Sequence, residues 1–233
     1  MTKKQENPLL SLALNIVIPS IILMKFSGPD RLGPVVGVVS ALSFPIIYGI
    51  YDFIQRKTLN FISVLGLISA GLTGFFTLNE FPPEYIAIKE AAVPGIIGLA
   101  ILGSMKTNFP LVRKMIFNDS IMNIKLVEEK LTEKGNMEEF NDLLNRSSYL
   151  FAASFFLSSV LNYVLAKVIL VSQPGTEAFN EELGQMTIMS YPVIVLPSMI
   201  IVVYLMMKLL KGIKQLTGLE WESVLNNQGA KKE

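Results

Sequence analysis

The 233-residue chain contains no cysteine and no histidine. Without cysteine it has no disulfide, no thiolate nucleophile and no cysteine metal site. Without histidine it lacks the commonest general base and the commonest transition-metal ligand. The sequence also shows no acidic pair, no nucleophile elbow and no phosphate-binding loop, since no glycine precedes Lys-Ser or Lys-Thr. We therefore predict a non-enzymatic protein with no cofactor and no metal site.

Charged residues are missing from long apolar stretches of the chain. Hydrophobic residues make up 51% of it and the mean hydropathy is +0.49, too apolar for a water-soluble domain of this length. A helix of about twenty residues reaches the ~30 Å thickness of the hydrocarbon core. The pattern predicts an all-α polytopic membrane protein, a single transmembrane domain with six helices in one bundle. The predicted spans are residues 8–24, 32–51, 58–79, 85–105, 147–171 and 186–207.

The first apolar run follows Met1-Thr-Lys-Lys and so resembles the start of a signal peptide. No small-residue cleavage site follows it, and five more apolar runs do. We therefore interpret the first run as a retained span.

Two segments outside the spans carry helical patterns. Within the long polar segment 106–146, apolar residues recur at 121, 124, 127 and 131 among charged ones. This pattern predicts an amphipathic helix that lies on the membrane surface or packs on the bundle, although a solvated connector is equally compatible. Before the last span, Phe179 and Leu183 are four residues apart. They would share one helical face, so we expect residues 179–184 to pack against the bundle.

The basic residues are distributed asymmetrically between the two sides of the predicted membrane. Sixteen of the 20 Lys and Arg fall on the side of the N-terminus, and the other side carries only Lys25, Arg31, Lys89 and Lys167. The positive-inside rule places both termini, segment 106–146 and the tail 208–233 in the cytoplasm. The net charge of +1 conceals this segregation and by itself says nothing about a nucleic-acid partner. We predict that the protein has no nucleic-acid partner.

Five polar residues inside the spans form a candidate intramembrane site: Asn15, Lys89, Glu90, Asn162 and Lys167. Ionisable groups within spans usually face the bundle interior or a water-filled cavity. Lys89 and Glu90 are adjacent and point about 100° apart, so we expect them to pair poorly. Lys167 lies at a depth comparable to that of Glu90, which favours a Glu90–Lys167 bridge. The alternative is that both lysines extend to the headgroups.

Asn15 and Asn162 are the amides deep within spans, and the sequence indicates that they form interhelical hydrogen bonds. Residues 15–22 and 90–97 also resemble one another, since each places a polar residue, Asn15 or Glu90, four positions before a proline. The two segments lie three spans apart. A 3+3 inverted repeat, of the kind found in transporters, is therefore one interpretation, and chance similarity is the other.

Several motifs resemble the intracellular septation protein A family of bacterial inner-membrane proteins. They are KTNFPLVRKM at residues 106–115, GLTGFFTLNE at 71–80, IKE at 88–90 and FFLSSVLN at 155–162. Almost the whole chain also resembles an uncharacterised proteobacterial family of that type, through LNFIS at 59–63, IKEA at 88–91, FNEELG at 179–184, YP at 191–192 and LTGLEWE at 216–222. The resemblance implies an inner-membrane protein that acts in cell-envelope assembly or division, with no catalytic residues to carry over.

Two functional hypotheses follow. The first is a non-enzymatic inner-membrane protein of the septation protein A type, whose partners are membrane lipids, envelope-synthesis membrane proteins or a second copy of the chain. The alternative is a small secondary transporter or lipid-handling protein with a polar site at Lys89, Glu90 and Lys167. A polar cavity within the helices would favour the transporter, and a solid apolar core would favour the first hypothesis.

Overall fold

The computed structural model describes residues 8–56, 61–107, 111–117, 119 and 122–225. These residues are helical, apart from connecting loops and one isolated antiparallel bridge between Met122 and Leu225. The helical segments, in chain order, are α1 Pro8–Leu12, π1 Ala13–Val17, α2 Ile18–Phe26, α3 Gly33–Arg56, α4 Phe61–Leu78, α5 Pro83–Ser104, α6 Leu111–Met115, α7 Ile124–Lys134, α8 Met137–Ile169, α9 Glu177–Ser190, π2 Tyr191–Val195, α10 Leu196–Thr217 and α11 Trp221–Val224.

Five helices among the described residues are long and apolar enough to cross a membrane, which is compatible with an integral membrane protein. They are Leu9–Phe26, Gly33–Ile54, Pro83–Ser104, Met137–Ile169 and Glu177–Thr217. The predicted third span coincides with α4, whose apolar part Leu65–Leu78 is shorter. Residues 58–60 of that prediction lie outside the described residues. A sixth span, the arrangement in one bundle and the inverted repeat remain predictions.

Two of the long helices extend well beyond the spans predicted for them. The fifth was expected at 147–171, but α8 begins at Met137, within the segment assigned to the cytoplasm. The sixth was expected at 186–207, but its helix begins at Glu177, where the Thr176 side chain accepts a hydrogen bond from the backbone N–H of Phe179. Charged residues mark where a helix leaves the hydrocarbon. They do not end it, because helix caps and packing determine where it stops.

The described residues divide into two compact units. Unit 1 consists of the described parts of residues 1–93 and 159–195. Unit 2 consists of those of residues 94–158 and 196–233. The helices α5 and α8, and the continuous helix of α9, π2 and α10, contribute residues to both units.

Unit 1 is built around close contacts of α2 with α3 and α9, and of α3 with α4. Gly184 of α9 faces α2, where an added Cβ would lie 2.5 Å from Met24 Cγ and 3.0 Å from the carbonyl oxygen of Ser20. Phe179 and Leu183 are buried in this unit, so the predicted packing of residues 179–184 is confirmed. Small residues here let the helix backbones approach one another.

Unit 2 places α7 against α10 and α11. Val127 and Leu131 on the apolar face of α7 are fully buried, so the predicted amphipathic helix packs against protein. It begins at Ile124, with Asn123 as its N-cap, and ends at Lys134, where the C-cap Gly135 adopts the left-handed conformation with φ of 71°. On the outer face, the hydrogen bond between Lys130 and Glu133 raises the pKa of Lys130 and lowers the pKa of Glu133. Residue 121 of the predicted helix lies outside the described residues.

Candidate functional site

Lys89 of α5 is buried in unit 1 with its charge fully coordinated. Its side chain is only 6% exposed. The ammonium donates hydrogen bonds to Ser69 Oγ at 2.9 Å, Thr73 Oγ1 at 2.7 Å and Glu90 Oε1 at 2.7 Å, and approaches the carbonyl oxygen of Ser69 at 3.3 Å. Ser69 and Thr73 lie one turn apart on α4, so both hydroxyls face the same point. The Lys89 ammonium therefore joins α5 to α4 through its hydrogen bonds to Ser69 and Thr73, while its ion pair with Glu90 lies within α5.

The pairing of Lys89 with Glu90 differs from the sequence-based expectation. Adjacent helical positions diverge at the backbone, but both side chains are long and flexible enough to bend towards each other. The expectation that this pair is weak was wrong, because the hydroxyls of α4 draw the ammonium to the side where Glu90 also lies. The Glu90 carboxylate is 27% exposed and thus more accessible than its partner.

The predicted bridge between Glu90 and Lys167 is also wrong. Lys167 Nζ bonds to Glu84 Oε1 at 2.8 Å, and both side chains are substantially exposed. Glu84 is the second residue of α5, and Lys167 lies two residues before the end of α8. Glu90 lies six residues further along α5, roughly 9 Å deeper, so Glu84 is the carboxylate at the matching level.

Asn15 lies at the centre of the π-helical segment π1. Its side-chain amide donates to the carbonyl of Ser11 at 2.9 Å and to Ser11 Oγ at 3.2 Å. Ser11 belongs to α1 of the same continuous helix, Leu9–Phe26, so these are not the interhelical hydrogen bonds that the sequence led us to expect. Pro19 has no N–H to offer the carbonyl of Asn15, and π-helical turns are one way in which a helix accommodates such a loss.

The same arrangement occurs in π2, which ends at Val195, two residues before Pro197, just as π1 ends at Val17, two residues before Pro19. A proline follows both π segments at this spacing, whereas Pro45 and Pro94 lie inside the regular helices α3 and α5, so a proline alone does not predict a π segment. Such segments are frequent at functional sites.

A cavity of about 520 Å³ lies in unit 1, which we call the unit 1 cavity. Residues of α1, π1, α2, α3, α4, α5 and α9 line it. Its polar lining residues are Ser11, Asn15, Tyr48, Asp52, Ser69, Thr73, Glu90 and Thr187. The remainder of its wall is apolar and includes Leu23, Val38, Leu42, Leu67, Leu183 and Met186.

The cavity brings together two of the five residues predicted for the intramembrane site, Asn15 and Glu90. These are also the two polar residues that each precede a proline by four positions. Lys89 lies behind the cavity wall. Lys167 and the half-buried Asn162 lie elsewhere in unit 1, outside the described lining.

Several lining residues were not predicted from the sequence. Ser69 and Thr73 were overlooked because hydroxyls are common in apolar helices. Their spacing of four residues on α4 was the available signal. Tyr48 and Asp52 have the same spacing near the end of α3. Asp52 was excluded because it follows the predicted end of the second span, at residue 51.

Comparison with known proteins identifies no relative of this chain. No family model, no curated protein and no solved structure matches it.

Proposed function

We propose that this chain is a small, non-enzymatic transport or lipid-handling protein of the bacterial inner membrane, and that it binds its substrate in the unit 1 cavity. The observation that carries the proposal is the cavity itself. It combines an apolar wall with Glu90, Asn15 and several hydroxyls, inside a set of helices suited to a membrane. Its volume lies within the range of roughly 300–1,000 Å³ typical of small-molecule sites.

The energetic cost of the polar groups supports this interpretation. An ionisable side chain inside a membrane-spanning segment is costly, and such residues usually serve a binding or transport site. A membrane span with a purely structural role would favour leucine or alanine at the positions of these ionisable side chains. Here Glu90 borders a space large enough for a solute, and Lys89, with Ser69 and Thr73 behind it, holds the carboxylate in place. The arrangement resembles a binding site more than a packing contact.

The cavity also distinguishes the two hypotheses from the sequence. A scaffold needs only a filled core, whereas a transporter needs a polar space among its helices. The cavity therefore favours the transporter. The role in envelope assembly or division implied by the resemblance to septation protein A remains a prediction, as do the envelope-synthesis partners and the homo-oligomer. The proposal includes cytoplasmic termini, which the asymmetry of Lys and Arg supports.

Two glycines of α4 provide a matched test of the proposal. Gly66 lines the unit 1 cavity, and an added Cβ there meets no atom within 4 Å. Gly71 is equally free of neighbours within 4 Å but does not line the cavity. Leucine at position 66 would occupy the space, and leucine at position 71 would not. Both substitutions add the same side chain to the same helix.

The experiment reconstitutes the full chain and both variants into liposomes and exposes them to a bacterial small-molecule and lipid extract. Mass spectrometry then measures which compounds each protein retains or accumulates. We expect at least one compound to be enriched by the wild type and by Gly71→Leu, and to fall to the level of empty liposomes for Gly66→Leu. If Gly66→Leu is folded and no compound distinguishes it from Gly71→Leu, the proposed function is wrong.

A further inference from the structure

We infer that the substrate of the unit 1 cavity is a small organic cation with an apolar body, and that Glu90 is its charged anchor. This inference rests on the proposed function and adds the chemical class of the substrate. It follows from which charges reach the cavity, how the buried ammonium is occupied and what surrounds the remaining space.

The charged groups that line the cavity are carboxylates. Glu90 and Asp52 belong to the lining, and no Lys or Arg does so among the residues that the structure describes. The ammonium of Lys89, which is bonded to Glu90, is 6% exposed, whereas the Glu90 side chain is 27% exposed. A solute in the cavity therefore meets the carboxylate before it meets the ammonium.

The hydrogen-bonding capacity of Lys89 leads to the same conclusion. A lysine ammonium has three hydrogens to donate. In unit 1 these are directed to Ser69 Oγ, Thr73 Oγ1 and Glu90 Oε1, all within 2.9 Å. No donor remains for an anionic solute unless one of these bonds breaks. By contrast, the carboxylate of Glu90 has two oxygens, and only Oε1 is bound to Lys89.

The rest of the wall sets the shape of the substrate. Leucine side chains from α2, α3, α4 and α9 contribute to the lining, together with Val38 and Met186. An inorganic cation would leave most of this apolar surface uncovered, whereas an organic cation would bury it. The removal of apolar surface from water favours binding in proportion to the area buried. The cavity thus combines the Glu90 carboxylate, held in place by Lys89, with a largely apolar wall.

The test uses tetraphenylphosphonium and tetraphenylborate, two ions of nearly the same shape with opposite charge. Equilibrium dialysis measures the binding of each to the detergent-solubilised full chain. Binding that is present in Gly71→Leu and absent in Gly66→Leu is assigned to the cavity. We expect cavity-dependent binding of the phosphonium and none of the borate.

Three variants test the role of Glu90. Glu90→Gln and the double variant Lys89→Met/Glu90→Gln should each weaken phosphonium binding at least about tenfold. The double variant keeps this test valid if Glu90→Gln alone unfolds, because it leaves no uncompensated ammonium. Lys89→Met keeps the Glu90 carboxylate and removes the ammonium that competes with the phosphonium for it, so this variant should bind the phosphonium more tightly. If the Lys89–Glu90 pair had only a structural role, the same variant would bind the phosphonium more weakly.

The outcomes separate this inference from the proposed function. Cavity-dependent binding of the borate, or of both ions equally, would overturn the cationic class and leave the proposed function intact. An absence of cavity-dependent phosphonium binding would also overturn it. The extract experiment with Gly66→Leu would then still decide whether the cavity holds another class of solute. Unchanged binding in both Glu90 variants would overturn the assignment of the anchor.

Discussion

The buried pair of Lys89 and Glu90 should be strongly coupled in a double-mutant cycle. Glu90→Gln removes the carboxylate partner of an ammonium that is 6% exposed, while its bonds to the hydroxyls of Ser69 and Thr73 and to the Ser69 carbonyl oxygen remain. Removing one partner of a buried pair costs about 3–5 kcal/mol. We expect about 3 kcal/mol, at the lower end of that range, because the two hydroxyls still solvate the charge.

The other members of the cycle follow from the same geometry. Lys89→Met leaves the Glu90 carboxylate, which is 27% exposed and can therefore be hydrated, so we expect a loss of about 2 kcal/mol. The double variant leaves no unpaired charge and should cost about 3 kcal/mol, which implies a coupling free energy of about 2 kcal/mol. Unfolding by SDS titration in mixed micelles measures these free energies.

The second Lys–Glu pair of unit 1 is the matched control. Glu84 and Lys167 lie 2.8 Å apart, but their side chains are 51% and 42% exposed. Water screens exposed ion pairs, so Glu84→Gln and Lys167→Met should couple far more weakly than the substitutions at Lys89 and Glu90. Equal coupling in the two pairs, or additive effects at Lys89 and Glu90, would refute the reasoning that burial makes the first pair strong.

Two further predictions concern packing and orientation. Gly184→Ala should lower the thermal unfolding temperature in detergent, because its Cβ would meet a backbone oxygen of α2. Gly71→Ala has open space around its Cβ and should raise stability by about 0.5–1 kcal/mol. Equal shifts of the unfolding temperature in the two variants would contradict the close contact at Gly184. Because the chain has no cysteine, single cysteines report topology directly. A membrane-impermeant maleimide added to intact cells should label Gln173→Cys and leave Glu129→Cys unlabelled, and the reverse pattern would invert the proposed orientation.

The apolar helices could be predicted from the sequence because the requirement for a span is local. About twenty uncharged apolar residues suffice, and no information about neighbours is needed. The helix at α7 was predictable for a similar reason, since Val127 and Leu131 recur with the period of a helix and both are buried. Asn15 and Glu90 could be singled out in the sequence because a polar side chain inside an apolar span is energetically costly. Both residues line the cavity.

The partners of the charged residues depended on the tertiary structure. Lys89 has the Glu90 carboxylate on its own helix within reach, and the position of α4 beside α5 decided that Ser69 and Thr73 also accept its hydrogen bonds. Lys167 pairs with Glu84 because side-chain packing along the whole contact sets how far one helix is shifted along its axis relative to the other. A single charged position in the sequence does not reveal that shift.

The cavity itself also depended on the tertiary structure, because it is a space among helices from distant parts of the chain. Its lining draws on residues between Ser11 and Thr187. Tyr48 and Ser69 are not unusual residues for the apolar helices that contain them, and they become part of a site only when the helices pack together. Sequence alone therefore determined which helices suit a membrane, and packing determined where a solute could bind.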